Sequence, residues 1–249
     1  MLVLIHGMFG DYLDWEPVLQ PLARRQRVIA IDLPGFGASD KPNREYTGEF
    51  FVDSLHGLLQ ELGVQRATLV GNSFGGQIAL LYALRYPGEV ERLILVDSGG
   101  FRPFTEEEKA LTRQRFGEAA IAALTPEINE MLFAPLFTAP TEIRQRYLQK
   151  QNAKLARADY LAYAHAVASS IQLSVSTFLL DRLPEIECPT LLLWGEKDQA
   201  VPLELARQAL EKLPRARLTV VPGCGHVLQL DCPEDFLQAV EGFLESPTN

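Results

Sequence analysis

Gly71-Asn72-Ser73-Phe74-Gly75 is the stretch of this 249-residue chain whose residue types and spacing point most directly to chemistry. The serine falls between an apolar run, Ala67–Val70, and a helical pattern that begins at Phe74. A serine on so sharp a strand-to-helix turn crowds its neighbours, and glycine at 71 and 75 lets the two backbones approach. The helix that follows aims its N-terminal amides where anionic charge would develop. The chemistry predicted is nucleophilic attack on a carbonyl, with Ser73 as the attacking group.

A serine hydroxyl is a poor nucleophile at neutral pH and needs a base. The chain has four histidines. His56 lies in a helical pattern and reads as a surface or packing residue. His165 falls in a helical block where a pocket role is secondary, and His6 follows the first apolar run and belongs to another motif. His226 sits in the glycine-rich stretch Val221-Pro222-Gly223-Cys224-Gly225-His226, straight after the last strand pattern. It is the predicted base. A carboxylate must hold the imidazole in one tautomer and offset its transient charge. Asp198, in Gly195-Glu196-Lys197-Asp198 after an apolar run, is the predicted acid; Glu196 and Asp97 compete for the role.

Two backbone amides must meet the developing oxyanion. They are predicted to be those of Phe74 and of Met8, the latter in the loop His6-Gly7-Met8-Phe9-Gly10. Phe9, Phe137, Val201 and Val227 are the expected walls of a substrate pocket. No metal or organic cofactor is called for by this route.

These residues need a scaffold that brings distant loops together. Leu2–Ile5, Val28–Ile31, Ala67–Val70, Leu93–Val96, Thr190–Trp194 and Leu218–Val221 are nearly continuous apolar runs, as expected of strands covered on both faces. Helix-period segments lie near Trp15–Arg24, Thr47–Leu62, Phe74–Tyr86, Leu203–Leu213 and Pro233–Leu244. This alternation predicts an α/β protein with a mostly parallel open sheet flanked by helices, whose ligands bind beyond the carboxyl ends of the strands. From about Phe101 to Leu180 the rhythm breaks. Thr105-Glu106-Glu107-Glu108 reads as a capping box, and Thr125-Pro126 as a second helix start. Residues 1–100 and 181–249 are therefore expected to form the core, and residues 101–180 an inserted helical lid. The lid's aromatics, Phe104, Phe116, Phe133, Phe137, Tyr147, Tyr160 and Tyr163, could line a pocket, but most are expected to pack the lid against the core.

Composition limits the partners. Hydrophobic residues make up 47% and charged residues 22%, ordinary values for a protein with a substantial core. A formal net charge of −9 argues against a nucleic-acid partner or attachment to an anionic membrane. The apolar run at the start is too short to span a bilayer or serve as a signal-peptide core, so a cytoplasmic location is expected. Cys188, Cys224 and Cys232, odd in number and irregular in spacing, read as reduced thiols and not as a disulfide framework or zinc site. Ser246-Pro247-Thr248-Asn249 looks like a frayed tail.

With the motifs placed, the chain resembles the α/β-hydrolase superfamily over nearly its whole length. The pieces that carry this are His6-Gly7, Asp32-Leu33-Pro34-Gly35-Phe36-Gly37-Ala38-Ser39, Gly71–Gly76, Gly195–Asp198 and Gly225-His226. The order Ser, Asp, His is that of the same class. The resemblance implies a Ser-His-Asp triad of Ser73, His226 and Asp198, and a structural, pocket-shaping role for the Asp32–Ser39 loop. Within the superfamily, Gly71–Gly76 and Cys224-Gly225-His226 are similar to meta-cleavage-product hydrolases, which split carbon–carbon bonds; Val227 stands where that group usually has tryptophan. The His-Gly loop and Asp-Leu-Pro-Gly pattern are also similar to the menaquinone-pathway synthase group, with Gln77 where arginine is typical. Small carboxylesterases impose fewer demands, so hydrolysis of a small to medium hydrophobic ester leads. Carbon–carbon or lactone cleavage by the same triad follows, then a noncatalytic small-molecule-binding member of the fold. Family members commonly carry two strands before the His-Gly strand. This sequence opens on it, so a less covered sheet edge and a monomer or homodimer are expected.

Overall fold

The computed structural model describes residues 1–246. Among them, β1 (Leu2–Ile5), β2 (Val28–Ile31), β3 (Ala67–Asn72), β4 (Val90–Val96), β5 (Thr190–Gly195) and β6 (Ala216–Val221) form one sheet. Every pairing is parallel, and the order is β2-β1-β3-β4-β5-β6. Helices α1 (Glu16–Ala23), α2 (Gly48–Glu61) and α3 (Phe74–Arg85) fall between the first four strands. Between β4 and β5 lie α4 (Glu106–Phe116), α5 (Glu118–Ala122), α6 (Pro126–Phe133), α7 (Glu142–Lys154) and α8 (Tyr160–Ser176). Then come α9 (Leu203–Lys212), α10 (Leu228–Asp231) and α11 (Pro233–Leu244).

The continuous apolar runs are explained by burial on both sides. Side chains alternate along a strand. Leu2 and Leu4 of β1 pack with Val70, Ile94 and Leu193 against Trp15 and Val18 near and on α1 and Phe236 and Val240 on α11. Val3 and Ile5 pack the opposite way, with Leu69, Leu93 and Leu192, against α2, α3 and α9. A fully buried leucine of this kind contributes roughly 1.5–3 kcal/mol through the apolar surface it removes from water.

Local signals set the helix ends. Thr105 and Glu108 form the expected capping box at the start of α4, and Thr125 caps α6 with Pro126 at its first position. Ser246, expected to fray, is tied down: its hydroxyl donates to the Gly242 carbonyl at 2.8 Å and its own carbonyl accepts from Arg92 at 2.9 Å. The remainder of that predicted tail, 247–249, lies outside the described residues. The half-buried β2 is an edge strand.

The reading of the cysteines as reduced thiols is overturned. Cys224 and Cys232 are joined in a disulfide, with their Cα atoms 6.2 Å apart, and only Cys188 is a free thiol. The short helix α10 reverses the chain and brings position 232 back to 224. Spacing alone does not reveal such a return.

The sheet order decides where a ligand can sit. From β1 the chain winds outward to β2, then returns to the other flank of β1 as β3. Loops leaving the carboxyl ends of β1 and β3 therefore diverge, and a crevice opens between them. Those loops carry Met8 and Ser73. Among the described residues, no helix is long and apolar enough to cross a membrane.

Candidate active site

Ser73 is the hinge between β3 and α3, with φ 53° and ψ −114°. A non-glycine residue held there stores roughly 1–3 kcal/mol and persists only where its surroundings fix it. Three main-chain bonds do so. The Ser73 amide donates to the Val96 carbonyl (2.9 Å), and the Ser73 carbonyl accepts from Gly99 (3.0 Å) and Gln77 (3.2 Å). The predicted reason for the flanking glycines holds: a Cβ on Gly71 would meet the Gly75 backbone, and one on Gly75 would meet the carbonyls of Ile5 and His6. The Ser73 hydroxyl has no hydrogen-bond partner among the described residues. No side chain caps α3, so its first amides, Phe74 included, are left for an anion.

His226 is buried, and its loop is fixed from two sides. Its amide donates to the Leu136 carbonyl (2.9 Å), and its carbonyl accepts from the Asn72 side-chain amide (3.1 Å). The ring Nδ1 lies 2.9 Å from Oδ2 of Asp198. With Nδ1 protonated toward this carboxylate, Nε2 is left as the acceptor. The other Asp198 oxygen accepts from the amides of Ala200 (2.7 Å) and Val201 (2.9 Å). The Trp194 indole secures the same loop by donating to the Val201 carbonyl at 2.9 Å.

The competing carboxylates are engaged elsewhere. Glu196 accepts from the Gly223 amide at 3.1 Å. Asp97 is fully buried and accepts from the Gly195 amide at 2.8 Å. Burial, helped by the Asp198 charge, pushes its carboxyl well above the usual range, which favours the neutral form. Of the remaining histidines, His6 is buried and accepts from the Leu33 amide at 3.1 Å, which pins the Asp32–Ser39 loop beside the Met8 loop. His56 stacks on Tyr86, and His165 bonds Glu118 and the Arg44 carbonyl.

Met8 and Phe9 are the middle of a tight turn closed by the Gly10 amide donating to the Gly7 carbonyl at 3.0 Å. Phe9 has φ 63°, a second left-handed non-glycine residue at the site. Met8, Phe9, Ser73 and His226 together line two cavities, one of about 710 Å³ and one of about 210 Å³. The larger runs between Phe74, Phe101, Phe104, Phe116, Ile171 and Val201. The smaller is walled by Leu132, Phe133, Tyr147 and Val227. Phe9 lines both cavities, Val201 the larger and Val227 the smaller. Phe137 does not line either cavity; it is buried against Tyr147, with ring centroids 5.4 Å apart. Its place between α6 and α7 turns it into a small core there, beside Leu148 and Leu230.

Among the described residues, the larger cavity is lined by two charged side chains, Arg102 and Glu204. Arg102 lies over the Phe104 ring and is paired with Glu108. Asn72, which ties the His226 backbone to the Val96 carbonyl, is a site residue that sequence reasoning missed. Its place in the serine motif was the available signal. Also missed was a buried group of Asp11, Asp14, Lys150 and Lys154 behind the Met8–Phe9 turn. Cys224, Cys232 and Asp235 bring ligand-type atoms within 4.8 Å of one another, but the disulfide leaves no thiolate for a cation.

Residues 1–233 match the family model described as "alpha/beta hydrolase fold". Over 98% of its length the chain is 32% identical to the 2-hydroxymuconate semialdehyde hydrolase of Pseudomonas sp. (strain CF600), covering 86% of that enzyme. A probable hydrolytic enzyme from Pseudomonas aeruginosa PAO1 superposes with a TM-score of 0.88 at 27% identity, over 98% of this chain and 85% of that one. A thermophilic esterase from Thermogutta terrifontis superposes with a TM-score of 0.86 at 28% identity, over 98% and 88%.

Proposed function

The chain belongs to the α/β-hydrolase fold family, and from that premise we propose that it is a serine hydrolase of small to medium hydrophobic carboxylic esters. One observation carries the reading. Ser73 stands on a left-handed turn facing the same cavity as His226, whose ring is held by Asp198 at 2.9 Å.

In the proposed reaction the Ser73 oxygen attacks the ester carbonyl carbon while Nε2 of His226 takes the hydroxyl proton. The amides of Met8 and Phe74 receive the oxyanion. Collapse of the tetrahedral species expels the alcohol, which leaves with the proton from His226. An acyl-Ser73 ester remains. Water then gives a proton to His226 and attacks the acyl carbon; the acid departs and Ser73 recovers its proton. Asp198 keeps the imidazole aligned and offsets its charge throughout.

The larger cavity favours a neutral, apolar substrate. Its volume is in the range of ordinary small-molecule sites, and its two charged side chains lie at Arg102, already paired, and at Glu204. Helices α4–α8, within the 101–180 segment, act in this reading as a lid: Thr112, Phe116, Ile171 and Val175 roof the cavity above Ser73.

A second reading is hydrolysis of a carbon–carbon bond by the same three residues. It is favoured by the 32% identity to a 2-hydroxymuconate semialdehyde hydrolase, and weighed against because, among the described residues, the larger cavity's one Lys or Arg, Arg102, is already paired with Glu108. A panel of p-nitrophenyl esters, a lactone and a vinylogous diketone tests the choice. Ester turnover that disappears in Ser73→Ala is the expected outcome. Turnover of the diketone alone would favour the second reading, and ester turnover unchanged in Ser73→Ala would refute both.

A further inference from the structure

The Met8–Phe9 turn is held from outside its own segment. Lys154, the last residue of α7, reaches across from the helices between β4 and β5 and donates to the Phe9 carbonyl at 2.5 Å. The Tyr163 hydroxyl of α8 donates to the same oxygen at 3.3 Å. Lys154 is nine-tenths buried, and its side chain is only 9% exposed. Burying an ammonium is costly unless it is paired. Here Asp11 lies 3.2 Å away, and Lys150 and Asp14 complete the group, with Lys150 bonded to both acids.

This arrangement does more than join a helix to a loop. Phe9 is a bulky residue at φ 63°, where only an over-determined backbone stays. An ammonium on its carbonyl fixes the orientation of that peptide, and the closed turn transmits the orientation to the residue before it. Within the group of Asp11, Asp14, Lys150 and Lys154, it is Lys154 that bonds the main chain of the turn. Without the ammonium the Phe9 carbonyl keeps the longer Tyr163 bond, a weaker restraint against relaxation toward negative φ that would re-aim the Met8 amide.

We propose that Lys154 is a positioning residue that holds the Met8–Phe9 turn in the conformation needed to receive an oxyanion, so that the seating of α7 completes the site. The inference rests on the serine-hydrolase reading.

Lys154→Met tests it. Asp11→Asn with Lys154→Met is the companion variant, which strands no counter-charge and carries the test if the single variant fails to fold. Sites are first titrated to completion with a fluorophosphonate. Turnover of p-nitrophenyl butyrate is then expressed per titrated site, and inhibition by an alkyl boronic acid is measured. Losing one oxyanion donor outright costs about a hundredfold to a thousandfold in kcat. A misaimed donor is therefore expected to lower kcat per site by about tenfold or more. KM should stay within about twofold, and the boronate inhibition constant should rise by the factor that kcat/KM falls. A loss confined to the fraction of titratable sites, or kcat per site within about twofold of the unsubstituted chain, overturns the proposal. An unsubstituted chain that neither labels nor turns over overturns the serine-hydrolase reading itself.

Discussion

Asp198 and His226 are separated by 28 positions in sequence and meet at 2.9 Å, each on a loop that leaves the carboxyl end of a neighbouring strand, β5 and β6. The backbone arranges this contact, since a virtual Cβ on Gly195 would run into the Cys224 and Gly225 carbonyls. Close passage of the two loops requires a residue with no side chain at that point.

In the proposed mechanism the carboxylate acts only through the imidazole. Asp198→Asn should lower kcat about a thousandfold or more, the scale seen when the orienting acid is lost in other Ser-His-Asp enzymes. The melting temperature should change little, because the amide oxygen still accepts from Ala200 and Val201. Glu196→Gln, altering an exposed residue, should leave turnover within about twofold. Equal losses in the two variants would contradict the assignment.

The packing of α3 on β1 predicts a second contrast. Gly75→Ala drives a methyl group into the Ile5 and His6 carbonyls, which are rigid main chain. It should destabilise the fold by about 3 kcal/mol or more. Gly57→Ala, inside α2 with nothing within 4 Å of the added carbon, should stabilise it by about 0.5–1 kcal/mol. Urea midpoints measure both; equal midpoints would refute the close approach.

The disulfide brackets the loop that carries His226. Denatured protein titrated without reductant should expose one thiol, that of Cys188, and three after reduction. Cys224→Ser with Cys232→Ser should lower unfolding stability by about 2–3 kcal/mol, as expected for so short a closed loop. Three thiols before reduction would show that the bond does not form.

Acid should loosen the turn behind the site. Burial raises the Asp11 carboxyl, but Lys154 and Lys150 outweigh it and hold the group at about 2. A carboxyl depressed by folding contributes stability that is complete above its unfolded value near 3.9. That contribution drains away as pH falls toward about 2. It amounts to roughly 2–3 kcal/mol. Unfolding free energy measured between pH 5 and pH 2 should therefore fall less steeply in Asp11→Asn. Parallel curves would contradict the pairing.

Much of this molecule was legible in its sequence, for a physical reason. Strands of a doubly covered sheet are apolar on both faces, so runs such as Leu2–Ile5 and Val28–Ile31 marked their own limits. Caps such as Thr105 and Thr125 act through neighbours three residues away and are equally local. Ser73 and the His226 loop announced themselves through glycines that backbone crowding demands. What stayed hidden depends on long-range meetings. Nothing near Lys154 points to the Phe9 carbonyl, 145 residues away. Phe137 carries the same aromatic character as Phe116, yet one is packed in a small core and the other lines the cavity. Pairing of Cys224 with Cys232 needed the reversal made by α10.

The most direct test of the account is the site of covalent reaction. The intact chain, treated with a fluorophosphonate and digested, should yield one modified peptide with the added mass on Ser73. His226→Ala should label far more slowly under the same conditions. Modification at any other residue, or labelling equally fast without the imidazole, would contradict the proposal that Ser73 and His226 act as one unit.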